Sequence, residues 1–522
     1  MVNVASLLTT SAQRFPDRCA LRYADGRTSY RQLRDAAAMF GSALLRRGLV
    51  PGDRVALFMP NCQQYLVALF GAWYAGLVAV PMNAKLAGPE VAVILGDSGA
   101  RALVHSTSAA RLVAGLDLTG VHTVAVDPAA PVDPAAPVDP AAPMDPAGGA
   151  KEAFAQLLAE GTPDLEPAEV AADDLAWLFY TSGTTGRPKG AQLSHRNLLT
   201  MTWTLLADVC AYTQDDVVLH VAPLSHGSGL YALGSIARGA DNIIHAGGGF
   251  DPSEVLDLVA RERVSVLAFL VPTMIVRMLG VAPTDTSSLR CAVYGGAPIH
   301  VEHSRAMIDR FGPVFVQIYG QGESPMTVTY LNHATSPGTP LDSAGVAHPG
   351  VEVRVLDGDD RPVPAGAEGE VCVRGDVVMR GYWNNPAATE RALRGGWLHT
   401  GDIGRFDEHG NLFLLDRSSD VIISGGANIY PREVEEALVQ HPGVAEVVVF
   451  GVPDETWGEN VVAAVVPVTT PPPPESELIT YSTTHIAGFK KPKKIIYLEA
   501  LPKSAYGKVL RREARKLVLS EP

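Results

Sequence analysis

Short apolar runs rich in β-branched residues alternate with helical patterns along most of the sequence, and this alternation limits the possible folds more than any other feature. Segments 55–59, 217–221 and 264–270 predict strands, whereas segments 30–47 and 252–261 predict helices. Strands that alternate with helices are typical of α/β proteins with mainly parallel sheets. We therefore predict an α/β fold.

The chain has 522 residues, which is too long for one ordinary hydrophobic core, so at least two domains are expected. Beyond residue 417 the sequence becomes more basic, and lysines and arginines cluster between 490 and 512. We predict a large multi-sheet N-terminal domain over residues 1–416 and a small mobile α+β domain over residues 417–522. Residues 127–146 repeat Asp-Pro-Ala-Ala-Pro, which predicts an extended exposed insert or a partner-binding arm.

Charge and cysteine content exclude several classes of function. The formal net charge is −14, which disfavours binding to nucleic acid. The five cysteines are scattered and form no C-x-x-C pair, so free thiols in a reducing cytoplasm are expected rather than disulfides or a zinc knuckle. The apolar run at 65–80 is shorter than the ~18 residues of a membrane span and predicts a buried helix followed by a strand.

The string at 180–190, Tyr-Thr-Ser-Gly-Thr-Thr-Gly-Arg-Pro-Lys-Gly, follows an apolar run and predicts a phosphate-binding loop. Its glycines allow backbone amides to approach phosphate oxygens, its hydroxyls donate hydrogen bonds, and Lys189 adds positive charge. It is not a Walker A loop, because Pro188 precedes the lysine and no Gly-Lys-Ser/Thr follows. A Gly/Ser/Thr-rich surface loop is the alternative interpretation.

Further motifs follow at 294–298, 319–323, 400–402, 416–417, 424–431 and 502–508. Taken together and in this order, they resemble those of the superfamily that contains AMP-forming acyl-CoA synthetases, adenylation domains and luciferases, over essentially the whole chain. The resemblance implies an enzyme that activates a carboxylic acid with ATP and passes the acyl group to a thiol, with coenzyme A as the expected acceptor.

The same resemblance implies a site for ATP and Mg²⁺. Tyr319 would stack on adenine, and Asp402 would accept hydrogen bonds from the ribose hydroxyls. Glu323 would hold Mg²⁺ together with Thr184, since this cation prefers oxygen ligands. Arg417 would reach the ribose or a phosphate. The other implied nucleotide-binding residues are Thr181, Ser182, Gly183, Thr185 and Lys189 at the phosphates, and Gly296 and Ala297 beside adenine.

Lys508 is the implied catalytic residue of the first half-reaction, because a positioned lysine stabilises the charge that develops at the α-phosphate. The alternative is a solvated cation in a basic tail. For the second half-reaction the resemblance implies a rotation about Ser419, where the family usually has Asp or Lys, that brings Gly425 and Gly426 to the acyl-adenylate. The implied contacts of the CoA nucleotide are Trp457, Phe489 and Lys491.

His226 matches the family's aromatic or histidine residue at the carboxylate end of the acyl pocket, and a structural histidine is the alternative. The pocket residues Gly227, Gly229, Gly295 and Gly322 lack side chains and so predict space for a bulky hydrophobic, cyclic, aromatic or fatty acid. Arg277 is the candidate partner of a second carboxylate, which makes a dicarboxylate the minor option.

Gly322 stands where the family usually has threonine. The loss of one charge-assisted hydrogen bond costs about 1.5–3 kcal/mol. A ligase that mainly thioesterifies a supplied acyl-adenylate, made by a separate adenylating enzyme, is therefore one alternative. An adenylation enzyme that loads a carrier protein, a regulatory binder without turnover, and a luciferase-like oxygenase are others. A homodimer is also considered.

Overall fold

The computed structural model describes residues 2–130, 132, 152–181, 188–246, 249–417, 420–424, 427–454, 457–503 and 509–520, and the side chains within them except those of 417, 428 and 520. Most of the Asp-Pro-Ala-Ala-Pro segment and the predicted pivot at Ser419 lie outside these ranges.

The strands of the described chain include one at each of the three predicted segments, 55–59, 217–221 and 264–270. Their bounds are β1 Cys19–Tyr23, β2 Gly26–Ser29, β3 Arg54–Phe58, β4 Val78–Met82, β5 Ala102–Ser106, β6 His122–Val126, β7 Glu152–Ala153, β8 Leu175–Thr181, β9 Lys189–Ser194, β10 Val217–His220, β11 Asp241–Ile244, β12 Val266–Leu270, β13 Cys291–Gly295, β14 Phe315–Tyr319, β15 Thr329–Asn332, β16 Val346–Ala347, β17 Glu352–Leu356, β18 Gly369–Arg374, β19 Leu398–Phe406, β20 Leu412–Arg417, β21 Ile422–Ser424, β22 Ala427–Ile429, β23 Val444–Asp454, β24 Gly458–Pro467 and β25 Lys494–Tyr497.

Helices alternate with these strands, as predicted. Their bounds are α1 Ser6–Arg14, α2 Tyr30–Arg46, α3 Gln63–Tyr74, α4 Gly88–Ser98, α5 Ala110–Ala114, α6 Phe154–Ala159, α7 His195–Thr204, α8 Gly227–Ala237, α9 Pro252–Glu262, α10 Pro272–Leu279, α11 Val301–Phe311, α12 Pro386–Ala392, α13 Pro431–Val439, α14 Glu475–Ser482 and α15 Arg511–Ser520.

Local signals explain where two of the predicted helices begin. Ser29 and Gln32 form a reciprocal capping box at α2, in which each side chain accepts a hydrogen bond from the other residue's backbone amide. The Asp251 side chain accepts hydrogen bonds from two first-turn amides of α9, and Pro252 occupies the first helical position.

Two large sheets form the first part of the structure. One has the strand order β16-β15-β14-β13-β12-β10-β11-β1-β2, and the other has the order β7-β6-β5-β3-β4-β8-β9. Within both sheets the inner strands pair in parallel, as predicted, and antiparallel pairs occur at the edges. Helix α3 is buried along its whole length and contacts strands of both sheets, so it lies between them.

Close contact between α2 and α3 explains two of the glycines. A Cβ atom at Gly41 would lie 2.6 Å from the carbonyl oxygen of Gly71, and one at Gly71 would lie 2.7 Å from that of Ala37. The two helices therefore pack backbone against backbone at these glycines, and their contact extends the core between the large sheets.

Two smaller sheets follow. Strands β17 to β20 form an antiparallel sheet, and β21 to β25 form a five-stranded sheet that packs with α13, α14 and α15. The chain passes from one sheet to the next between Arg417 and Ile422. The exact domain boundary at residue 416 stays a prediction.

None of the helices in the described ranges is long and apolar enough to cross a membrane. The cysteines are all free, and four of them are buried. The run at 65–80 lies in α3 and the start of β4, as predicted.

Candidate active site

The candidate site lies where several strands end. Strands β12, β13 and β14 are parallel neighbours, and the motif at 319–323 follows directly from the carboxyl end of β14. Ligands of open α/β sheets bind outside the carboxyl ends of their strands. The sheet topology therefore places the motifs at 294–298 and 319–323 at the same edge.

Tyr319 and Asp402 meet at the first end of this motif. The Tyr319 hydroxyl donates a hydrogen bond of 2.6 Å to Asp402 Oδ2. Gly295 pairs with Ile318 across β13 and β14, so Gly296 and Ala297 follow beside Tyr319. Gly296 has a φ of +81°, a conformation that favours glycine. The structure thus brings together the residues assigned to adenine and ribose.

Gln321 is a partner of Asp402 that the sequence analysis did not single out. Its side-chain amide donates hydrogen bonds of 2.8 Å to Asp402 Oδ2 and 2.9 Å to the carbonyl oxygen of Thr400. Gln321 therefore holds the Asp402 carboxylate next to the loop at 319–323. Its position between two residues with assigned roles was the available signal.

Glu323 lies at the other end of the motif and contacts the phosphate-loop strand. Its Oε1 accepts hydrogen bonds from the hydroxyls of Tyr382, at 2.8 Å, and Thr181, at 3.3 Å. The ammonium group of Lys189 lies 5.1 Å from the centre of the Tyr382 ring. Tyr382, which the sequence analysis missed, therefore connects the carboxylate and the lysine. A carboxylate beside a hydroxyl is a donor set that fits Mg²⁺.

His226 stands at the start of α8 and packs against Phe179 of β8, with ring centres 4.9 Å apart in an edge-to-face arrangement. Its Nδ1 also lies 3.0 Å from the hydroxyl of Ser225. Burial lowers the pKa of His226 to about 3. The imidazole is therefore neutral at neutral pH and can form a hydrogen bond with a carboxylate without carrying charge.

The predicted pocket glycines do not leave open space, which corrects the reason given for them. A Cβ atom at Gly227 would lie 2.8 Å from the Phe269 ring, and one at Gly295 would lie 2.5 Å from the carbonyl oxygen of Ile318. At Gly229 it would collide with the backbone of Leu224. At Gly322 it would lie 2.6 Å from the Phe179 ring. Neighbouring atoms fill these positions, so glycine content does not measure the size of the pocket.

The residues assigned to CoA lie on the surface of the C-terminal part. Trp457 is 50% exposed and Phe489 is 58% exposed. Lys493 lies over the Trp457 ring and Lys490 over the Phe489 ring, whereas Lys491 is half-buried. Their assignment stays a prediction. The side chain of Arg417 and all of Ser182, Gly183, Thr184, Thr185, Gly425, Gly426 and Lys508 lie outside the described residues.

Glu370, Cys372 and His399 form one close group of potential metal ligands within the described ranges. His399 Nδ1 lies 2.8 Å from Glu370, and Arg394 lies 3.2 Å from the same carboxylate. Burial raises the pKa of Cys372 to about 12, so its thiol stays protonated. Arg394 also pairs with Asp360, so the group belongs to a network of hydrogen bonds and ion pairs that needs no metal ion to explain it.

These features are those of an α/β protein with a candidate nucleotide site at the ends of its strands. The AMP-binding enzyme family profile matches residues 8–383, and the profile of the AMP-binding enzyme C-terminal domain matches residues 433–508. The chain belongs to the AMP-binding enzyme family, which confirms the resemblance seen in the motifs.

Relatives align along nearly the full chain. Feruloyl-CoA synthase of an Amycolatopsis species is 38% identical over 514 residues, which cover 97% of each chain. Fatty acid–[acyl-carrier-protein] ligase ScoC of Streptomyces coeruleorubidus is 37% identical over 504 residues, covering 94% of this chain and 92% of the relative. The crystal structure of ATP-bound MatB from Rhodopseudomonas palustris superposes with a TM-score of 0.89 at 30% identity over 99% of each chain. The α/β prediction is confirmed, and the protein is an AMP-forming ligase of the acyl-CoA synthetase class.

Proposed function

We propose that this enzyme converts a bulky hydrophobic, aromatic, cyclic or fatty carboxylic acid into an acyl-adenylate and transfers the acyl group to coenzyme A. The main support for the proposal is the motif at 319–323, because its first and last residues contact different parts of the site. Its first residue contacts Asp402, and its last contacts Thr181. One short loop therefore supports both the ribose and the phosphate partners of a nucleotide.

In the first half-reaction a carboxylate oxygen attacks the α-phosphorus of ATP, and pyrophosphate leaves. Tyr319 and Asp402 orient the nucleoside, and neutral His226 donates a hydrogen bond at the carboxylate end of the acid. Glu323 would hold Mg²⁺, which would balance the charge of the phosphates. Lys508 stabilises the developing charge at the α-phosphate.

In the second half-reaction the thiol of CoA attacks the acyl carbon, and AMP leaves. Gly425 and Gly426 leave room for the pantetheine arm, and Trp457, Phe489 and Lys491 contact the CoA nucleotide. The exposed rings of Trp457 and Phe489 support this role, because bases stack on aromatic rings, and Lys493 beside Trp457 can pair with a phosphate.

Aromatic side chains support the proposed class of acid. Phe179 packs on His226, and Phe269 packs on Gly227 of α8 and stacks on Tyr231. The names of the relatives, with a feruloyl group in one and a fatty acid in the other, agree with an apolar acid. Arg277 is exposed and lies over the Phe250 ring, which favours a structural role over binding a second carboxylate.

The second candidate acceptor is the thiol of a carrier protein, because one relative is named as a ligase of a fatty acid and an acyl carrier protein.

Mass spectrometry of the products will distinguish these two functions. Purified protein receives ATP, Mg²⁺, an aromatic or fatty acid, and either CoA or a phosphopantetheinylated carrier protein. We expect acyl-CoA and AMP. Acyl-carrier protein without acyl-CoA would contradict the proposal, and parallel reactions with synthetic acyl-adenylates test whether Gly322 has weakened the first step.

Replacing Glu323 by glutamine is expected to lower the rate of pyrophosphate release about a hundredfold. The amide keeps the shape of the side chain but removes the charge that holds Mg²⁺, so the Mg²⁺ concentration for the half-maximal rate should rise. Pyrophosphate release measured across a Mg²⁺ titration checks both effects. The control is Glu302→Gln on the exposed surface of α11. An unchanged Mg²⁺ dependence in Glu323→Gln would show that another group holds the cation.

A further inference from the structure

Phe179 separates two residues that the reaction needs in fixed positions. One edge of its ring lies against Gly322, where a Cβ atom would be 2.6 Å from Cδ1 and 2.9 Å from Cε1. The ring also packs edge-to-face on His226, with centres 4.9 Å apart. The phenyl ring therefore fills the space between the nucleotide-binding loop and the imidazole.

The lack of space for a side chain, and not the backbone conformation, explains why residue 322 is a glycine. Its φ lies outside the left-handed region that favours glycine. A side chain there would meet the Phe179 ring on one side and the Thr181 methyl group, at 2.7 Å, on the other. The ring thus occupies the position that the family usually fills with a threonine side chain.

The ring has little freedom to move away. Phe179 is 4% exposed, and its ring stacks on that of Trp177 with an angle of 24° between the planes. Its backbone is paired with Ala191 in the adjacent strand. A group added at position 322 would therefore push the ring towards His226, because buried side chains transmit such displacement to their neighbours.

We propose that Phe179 is a positioning residue for the acid substrate: its ring, admitted by Gly322, holds the His226 imidazole at the carboxylate end of the acyl site and sets the width of the site there. This inference rests on the proposed role of His226 and adds a residue pair that determines specificity. Phe179 and Gly322 act as one unit, so that a change at either position is tolerated best when the other changes with it.

A double-mutant cycle tests this coupling. We expect Gly322→Ala to raise KM for the acid about tenfold while KM for ATP stays within about twofold, because the displaced ring moves His226 and not the adenine site. Phe179→Leu should also raise KM for the acid and should shift preference towards acids with a wider carboxylate end. The double variant Phe179→Leu/Gly322→Ala should recover most of the loss caused by Gly322→Ala, because the smaller side chain provides space for the new methyl group.

Two control variants separate positioning from general packing. Phe154→Leu shortens a phenylalanine of similar burial that stacks on Phe40, and Gly96→Ala adds a methyl group where no neighbouring atom lies within 4 Å. Neither should change KM for the acid. Thermal unfolding of every variant confirms that it is folded at the assay temperature.

The outcomes distinguish this inference from the proposed function. If the wild-type protein forms no acyl product from any acid, both are overturned. If the wild type is active but Gly322→Ala keeps the wild-type KM for the acid, the inference alone fails. It also fails if the double variant is no better than Gly322→Ala, or if KM for ATP rises as much as KM for the acid.

Discussion

Replacement of Lys508 by alanine is expected to slow acyl-adenylate formation about a thousandfold while thioester formation from a supplied acyl-adenylate stays within about threefold of wild type. The lysine stabilises the additional charge that develops on the α-phosphate oxygens in the transition state of the first step. In the second step the attack occurs at the acyl carbon, and the predicted rotation of the small domain would move Lys508 away from it. If Lys508 acts only in the chemistry of the first half-reaction, its replacement will slow that half-reaction and leave the second nearly unchanged.

Pyrophosphate release measures the first step, and mass spectrometry of acyl-CoA made from a synthetic acyl-adenylate measures the second. Lys503→Ala is the matched control, because Lys503 lies in the same segment and forms an ion pair of 2.6 Å with Glu446. It should leave both steps near wild type. Equal losses in both steps of Lys508→Ala would mean that the lysine supports the fold or the rotation of the small domain instead of the chemistry.

Hydrophobic patterns along the sequence were sufficient to predict the α/β class and several of its elements. The helix predicted at 30–47 is α2, and its start is fixed by two residues three positions apart, Ser29 and Gln32. The order of strands within the two large sheets did not follow from the sequence. It depends on contacts between distant segments, such as the pairing of β1 with β11, which no local pattern contains.

The candidate site divides in the same way. Tyr319 with Asp402 and Thr181 with Glu323 were predictable, because each residue belongs to a motif with a recognisable order. Tyr382, which connects Glu323 to Lys189, was not, because it lies in none of these motifs and only its contacts in the fold reveal its role. Likewise, the glycines assigned to the acyl pocket could be named from the sequence, but the neighbouring atoms that fill the space beside them could not.

His195 and His220, two buried histidines to which the sequence analysis assigned no role, are expected to make the protein less stable in mild acid. His195 Nδ1 accepts a hydrogen bond of 3.1 Å from the backbone amide of Val4. His220 lies between Ser228 and Asn242, and these partners satisfy the neutral imidazole. Burial lowers the pKa of both histidines to about 4.

The sign of the effect follows from these shifts. In the unfolded chain a histidine takes up a proton near pH 6.5, whereas His195 and His220 stay neutral in the folded protein down to about pH 4. Unfolding therefore takes up protons between these values, and the free energy of unfolding falls as the pH is lowered. From pH 7 to pH 5 each histidine contributes a loss of about 2 kcal/mol, or about 4 kcal/mol for the pair.

Midpoints of urea denaturation measured from pH 7 to pH 5 check this expectation. Most carboxylates remain ionised in this range, so histidines dominate the change. His195→Gln should flatten the profile, because the amide oxygen can accept the Val4 hydrogen bond without binding a proton, whereas His409→Gln on the exposed surface should leave it unchanged. A profile that is flat for the wild type, or equally steep for His195→Gln, would mean that the buried imidazoles are protonated in the folded protein. Such protonation would require the core around α7 to open to water well before the chain unfolds.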